Sequence, residues 1–475
     1  GAGGSPAQDV DGASLRLETS GATDYWDGES YIARGFADGT QSDDLATVGQ
    51  LNEIVADTAG SGLFALAGDL ASTTDAAKGA ALMQFKPSDT GGVALPLATI
   101  FKRLELSPEQ FNADGNGTTD DSTAVTNALA ACKTNKARLR LRGDYNMAST
   151  GLSIDFPAHI VGTGKLIRPN NTATPLISCI AGSDNSVIEA VRLSYTHGST
   201  TASVLHSAVR ITSGRNIQVV HCRIDGGDKL YAGLIAETTS ALDCLFEGNV
   251  ITGIVNRAIY GYLGTKRLRI IGNSIDGYVS TTPTTNYGIN LNDGGVAACE
   301  DIVIAGNIVR GAADQGIEVG NSCERISVTG NTLESTATTG TGILAQIANT
   351  NRGRKAIISG NHVKGWGYAV YVYQSDNIQV TGNQLEGTLA GVLVTDSTGV
   401  HVSANSSHNV SSSHYWFANA DHCSHVANTS RGGSATYDLI TDANCDRMLI
   451  LGNQRHGSAG TYSVAGTNIT QANNV

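Results

Sequence analysis

Three carboxylates stand out as groups able to do chemistry together: Glu318, Asp314 four residues before it, and Asp293 one repeat earlier. Glycosidic bonds are usually hydrolysed by two carboxyl groups, about 5 Å apart when configuration is retained and about 6.5–9.5 Å apart when it is inverted. Glu318 takes its meaning from its neighbours. Aligned on an asparagine that recurs along the chain, it falls in a column reading Arg210, Ile235, Tyr260, Asn290, Glu318, Leu344, Tyr371, Leu393. Two residues on, the parallel column reads Thr212, Glu237, Tyr262, Asn292, Gly320, Gln346, Tyr373, Thr395. Sugar rings stack on aromatic faces, and their hydroxyls bond to amides and carboxylates. Tyr260, Tyr262, Asn290, Asn292, Gln346, Tyr371 and Tyr373 are therefore the expected sugar contacts, and Glu318 the catalytic carboxyl. The plain alternative is a solvated glutamate on a β surface. Asp314 or Asp293 is the expected partner, because Glu237 lies about three strand spacings away, near 14 Å. Asp376 and Asp396, on turns of later repeats, are weaker candidates acting from a neighbouring subunit.

Charge narrows the ligand. A formal net charge of −12 argues against nucleic acid, which calls for a basic stripe. Neutral ligands stay open, and an acidic one would meet Arg352, Arg354 and Lys355, the same groups that would neutralise a uronate in a lyase. Other clusters are less specific. Asp114, Asn116, Thr118 and Asp120 alternate like a calcium loop, but Thr119 and Val125 stand where Gly and Glu belong. His401, His408, His414, His422 and His425 form no zinc-protease pattern. No metal and no cofactor are expected. Asp276, Arg310, Glu334, Lys364 and Glu386 form a column of alternating sign that reads as a cross-strand ion ladder on a solvated face.

The elements that position these groups are repeats. Nine times between residues 217 and 453 an alternating apolar run meets a small residue, an Asn and a second apolar run, as in Ile326-Ser-Val-Thr-Gly-Asn331-Thr-Leu333. The Asn falls at 249, 273, 307, 331, 361, 383, 405, 428 and 453, with Cys222 in the same slot one copy earlier. Alternation with β-branched residues is the strand period, so each copy is two short strands around a turn. Gly permits the turn, and Asn tolerates the left-handed region. Stacked at about 4.8 Å, the Asn amides can bond from copy to copy as an internal ladder. A third strand (Gly288-Ile-Asn-Leu, Gly316-Ile-Glu-Val, Gly342-Ile-Leu-Ala) precedes most copies. Three strands per coil describe a right-handed, single-stranded parallel β-helix, an all-β fold stabilised by coil-on-coil stacking.

The rest of the chain is read around that coil. Gly1–Pro6 looks like a cloning scar, and no secretory signal leads the chain. Residues 1–62 are expected to be linker and a short helical neck (Leu45, Val48, Leu51, Val55, Ala59), 63–107 a connecting segment, 108–455 the β-helix, and 456–475 a short C-terminal piece. A helix near 121–133, capped by Asp121 or Ser122, places Val125, Ala128, Leu129 and Cys132 on one face and suits the open end of the solenoid. No apolar run is long enough to cross a membrane. The eight cysteines lack paired spacing and are expected to be mostly reduced core residues made in a cytoplasm, although Cys299 and Cys323 share a slot on adjacent coils.

The run Leu70-Ala-Ser-Thr-Thr-Asp-Ala-Ala-Lys-Gly-Ala with Thr90-Gly-Gly-Val, followed by Phe111-Asn-Ala-Asp-Gly-Asn-Gly-Thr-Thr-Asp-Asp121-Ser-Thr-Ala-Val, resembles the start of the β-helix in bacteriophage tailspikes. The second segment is also similar to the pectate-lyase-like superfamily. The resemblance spans roughly residues 63–455. It implies a virion-borne homotrimer that attaches to the phage tail or baseplate by its N-terminal region, binds a bacterial surface polysaccharide and, in most members, cleaves it. Three readings follow: an endo-hydrolase, a lyase on the same fold, or a non-catalytic adhesin.

Overall fold

The computed structural model describes most of residues 104–475, with gaps at 200–202, 277–285, 293–296, 313, 321–322, 337–338, 347–353 and 387–388, and before that only short strand pairs. The chain divides into two units, Gly1–Phe101 and Lys102–Val475. In the first, Glu18–Thr19 pairs antiparallel with Ala22–Thr23, Tyr25–Trp26 with Tyr31–Ile32, and Gln84–Phe85 with Leu95–Pro96. The expected neck helix lies outside the described residues.

The second unit is a parallel β-solenoid of about 13 turns with one helix. One turn shows the pattern: Gln315–Gly320 in a first sheet, Ile326–Thr329 in a second, then Gly330 and Asn331 at a corner, and Thr332–Glu334 in a third. Each strand pairs in parallel with its counterpart one turn on: Glu318 faces Leu344, Val328 faces Ile358, and Leu333 faces Val363. Inward side chains from all three sheets form one continuous apolar core, among them Ile317, Val319, Val328 and Leu333. All eight cysteines are buried as thiols. The coil continues past residue 455 through Thr461–Val464 and Thr470–Ala472.

The asparagine ladder is present and longer than the repeats announced. Each amide nitrogen donates to the next Asn carbonyl oxygen, which also accepts the preceding Asn backbone N–H; for Asn331 onto Asn361 both distances are 2.9 Å. The amide nitrogen also donates to a backbone carbonyl of the coil before, here Ile304 at 3.0 Å. The chain of bonds begins at the Cys222 N–H and ends on Asn474. The turn chemistry differs from expectation, because the left-handed residue is the one before the Asn. Gly330 has φ +62°, yet His221, Ala404 and Ala427 hold the same conformation without being glycine. The Asn has no left-handed role and serves the ladder alone.

Helix α1 spans Ser122–Asn135 and buries Val125, Ala128, Leu129 and Cys132 against the first strands. Neither expected capping side chain caps it. The Asp121 carboxylate accepts the Asp114 N–H, and it is Asp120 that accepts the Ser122 N–H at 3.1 Å. Asn116 folds back onto the Thr118 and Thr119 N–H groups, so the calcium-like loop is an Asx turn closed on its own backbone.

Candidate functional site

Glu318 lies on the outer face of the first sheet, and its register column is the expected one: Arg210, Ile235, Tyr260, Asn290, Glu318, Leu344, Tyr371, Leu393. The column differs from expectation in depth. Ile235 and Asn290 are fully buried, and Tyr260, Leu344 and Leu393 nearly so; Glu318 retains 8% exposure. Ile235 and Tyr260 belong to a small apolar cluster with Ala232, packed by Val204, Tyr231 and Tyr262 and separate from the main core. The column is therefore largely buried instead of an open surface.

Burial decides the state of the carboxyl. Removal from water pushes Glu318 up to about 7, with a further push from nearby Asp314, opposed by Arg257 and by the Asn290 amide. Asp314 is half-buried and raised by the same desolvation. The two groups expected to act as a pair are thus close enough to repel, and Glu318 holds its proton near neutrality. The Asn290 amide nitrogen donates to Glu318 Oε2 at 2.5 Å. Glu318 Oε1 lies over Gly320, where a Cβ would stand 2.8 Å from it, so the missing side chain is the space the carboxyl uses.

Sequence reasoning missed the cation. Arg257 stands two coils before Glu318, its guanidinium 4.6 Å from the centre of the Tyr260 ring, 5.0 Å from that of Tyr287 and 5.8 Å from that of Tyr231. Its Nε donates to Asn290 Oδ1 at 3.0 Å and its Nη1 to the Tyr231 hydroxyl at 2.6 Å. Because Arg257 occupies the Asn290 carbonyl oxygen, the amide nitrogen must face Glu318: a relay from guanidinium to carboxyl. Tyr287 is pushed up to about 12 by burial, Glu318 and Asp314. The missed signal was a column: Arg257 and Tyr287 are register partners, three residues before Tyr260 and Asn290.

The expected sugar contacts divide into two groups. Tyr260 and Tyr262 stack at 4.6 Å on one side of Glu318, and Tyr371 and Tyr373 lie tilted with ring centres 5.7 Å apart on the other, with Tyr368 beside them and the Tyr371 hydroxyl 3.1 Å from Thr395 Oγ1. Gln346 pairs in register between Gly320 and Tyr373, and Asn292 opposite Tyr262. Asp293 and Arg352 lie outside the described residues. Arg354 begins a strand of the second sheet, away from the Glu318 column. Glu237 is held by a two-bond pair with Arg210 at 2.7 and 3.0 Å. The ion ladder forms, Arg310 with Glu334 at 2.9 Å and Lys364 with Glu386 at 3.6 Å. The histidines take local partners: His401 with Ser424, His408 with Ser406, His414 with Ser407, His422 with Asp421. His425 is fully buried against Tyr415, and desolvation pushes it down to about 3.

Comparisons agree on the coil. A sequence family described as periplasmic copper-binding protein (NosD) matches residues 295–416. Among the described residues no group of three or more His, Cys, Asp or Glu is placed to hold a metal ion, so the side chains present do not fit a copper centre. No curated protein matches the chain. Among solved structures, the tailspike of Escherichia coli bacteriophage HK620, in complex with a hexasaccharide, is 12% identical, covers 82% of this chain and 71% of its own, and has a TM-score of 0.55. The catalytic unit of a GH87 α-1,3-glucanase from Streptomyces thermodiastaticus is 14% identical over 83% and 71%, with a TM-score of 0.53. Gene product 12 of bacteriophage phi29 is 14% identical over 78% and 56%, with a TM-score of 0.59. At these identities the likeness is one of fold: the chain is a right-handed parallel β-helix of the kind found in phage tailspikes and a glycoside hydrolase.

Proposed function

We propose that this protein is a phage tailspike that binds a bacterial surface polysaccharide and cuts it by endo-glycosidic hydrolysis, with Glu318 as general acid and Asp314 as its partner. The observation that carries the reading is Glu318 itself: a nearly buried carboxyl raised to about 7, held by one amide donor and set in register between two tyrosine clusters. A carboxylic acid still protonated near neutrality can give its proton to a glycosidic oxygen as the bond breaks. Asp314, as a carboxylate, either attacks the anomeric carbon or activates water. Arg257 moderates the acid through Asn290. Its guanidinium is taken up by Tyr231, Asn290 and three aromatic faces, and so is not free to neutralise a uronate, which favours hydrolysis over elimination.

The same reading includes a trimer and a virion location. The second sheet supports self-association: past Glu247, its outer column from Ile271 through Ala305, Thr329, Ser359, Thr381, Ser403 and Val426 to Leu451 carries no charge, while the third sheet carries the ion ladder. The helix α1 is proposed to close the N-terminal end of the core. Incubating the purified chain with a panel of bacterial capsules and O-antigens tests the activity. Chain shortening with new reducing ends supports a hydrolase, the same with absorbance of an unsaturated uronate indicates a lyase, and binding without shortening indicates an adhesin.

A further inference from the structure

At the N-terminal end of the coil, far along the chain from Glu318, a second polar cluster is built into the corner after the third sheet. Arg168 follows Leu166 by two residues and so turns the same way, into the coil, and its register partner Tyr195 likewise follows Leu193. Arg168 is fully buried, and its nitrogens make a single bond, Nη2 to the Pro175 carbonyl at 3.4 Å; Nε and Nη1 have no protein partner. No carboxylate among the described residues pairs with it. Asp120 is electrostatically near, but its oxygens are engaged by Ser122 and Ser149.

The register partner Tyr195 sets its phenol beside the guanidinium, and further unpartnered polar groups follow along the chain. The Tyr195 hydroxyl, the Ser207 hydroxyl, His197 Nε2 and both ring nitrogens of His206 are buried without partners. The His197 ring packs 5.0 Å from Tyr195 and accepts the Ser199 N–H on Nδ1, so the unpartnered Nε2 carries the proton. Ser207 adjoins the same spot through its carbonyl, which accepts the N–H of Leu176 beside Pro175. Lys229 adds positive potential at His197. An isolated buried guanidinium is costly by several kcal/mol unless a counter-charge is supplied. Water can satisfy these donors and the hydroxyl oxygens can accept its hydrogens, but water brings no counter-charge to the guanidinium.

We infer that this corner is an internal binding site for a small inorganic anion of chloride size, held by Arg168, Tyr195 and Ser207, that pins the first coils together. The inference does not rest on the reaction at Glu318. Two measurements on the full chain test it. Crystals soaked in bromide should show an anomalous peak within hydrogen-bond reach of Arg168 Nη1 and the Tyr195 hydroxyl. The unfolding temperature should rise with chloride against gluconate at constant ionic strength, as for a ligand that binds only the folded state. Tyr195→Phe, which keeps the ring and removes one donor, should raise the apparent dissociation constant about 10-fold, and Arg168→Met should abolish the chloride dependence. Should Arg168→Met fail to fold, Tyr195→Phe and the bromide map decide alone. Density for water only at the corner, or an unchanged chloride response in Tyr195→Phe, overturns the proposal.

Discussion

Glu318 is one carboxyl whose environment contains its own test. Glu318→Gln keeps the Asn290 contact but cannot exchange a proton, so polysaccharide cleavage should fall about 100-fold or more while binding survives, read by reducing-end release and by retention on the polymer. Wild-type activity should decline as pH rises through about 7, where Glu318 loses its proton, and on the acid side as Asp314 gains one. Stability follows the same group with a definite sign. Its folded value lies above the ordinary 4.5, so the folded state binds the extra proton; that contribution is whole below 4.5 and lost as pH climbs through about 7. Denaturant unfolding at several pH values should show this slope in wild type and not in Glu318→Gln. At this scale the sequence was legible where a period carried it. The strand period placed Glu318 between Asn290 and Leu344, but no period announces that Arg257 reaches the Asn290 amide on the next coil, because that contact depends on a side chain lying along the sheet. Depth was invisible for a similar reason: alternation says which way a side chain points, not what covers it.

Among the elements, the corner and the first-sheet strand answer to different physics. Asn331→Ala removes an amide whose partners are buried on both sides, Asn361 and the Ile304 carbonyl, and should cost about 1–3 kcal/mol by equilibrium unfolding. Gly330, one residue earlier, is left-handed, and a methyl group there would meet no other atom within 4 Å; Gly330→Ala should cost about 1 kcal/mol, as Ala404 and Ala427 already show the position accepts alanine. Gly316→Ala should cost more, because its Cβ would stand 2.4 Å from Leu333 Cδ2 in the facing sheet. Glu334→Gln, in the exposed ion ladder, should change stability by less than about 1 kcal/mol and leave cleavage untouched. The ladder was readable because hydrogen-bonded stacking demands one residue type at one slot. The helix cap was not, since Asp120, Asp121 and Ser122 all have capping chemistry and only the path of the backbone selects among them.

On the scale of the molecule, the proposed assembly predicts a trimer by light scattering at micromolar concentration, and Thr381→Arg, which sets a charge in the neutral column of the second sheet, should weaken it without altering the unfolding of the single chain. The architecture was legible early because a repeat states its rule many times over, whereas a site is made once, by the turns that break the rule. The asparagine ladder has a further consequence, for how such a molecule changes over generations. From one Asn to the next the chain runs as few as 21 residues and as many as 34, yet the amide bond is 2.9 Å at both extremes. The corner is a fixed stitch, and variation in length falls on the other side of the coil, with the longest turn, from Asn273 to Asn307, containing Tyr287 and Asn290. On the proposed function, the loops beside Glu318 can therefore be lengthened or replaced to change which sugar is recognised without unpicking the thread that holds the coil together.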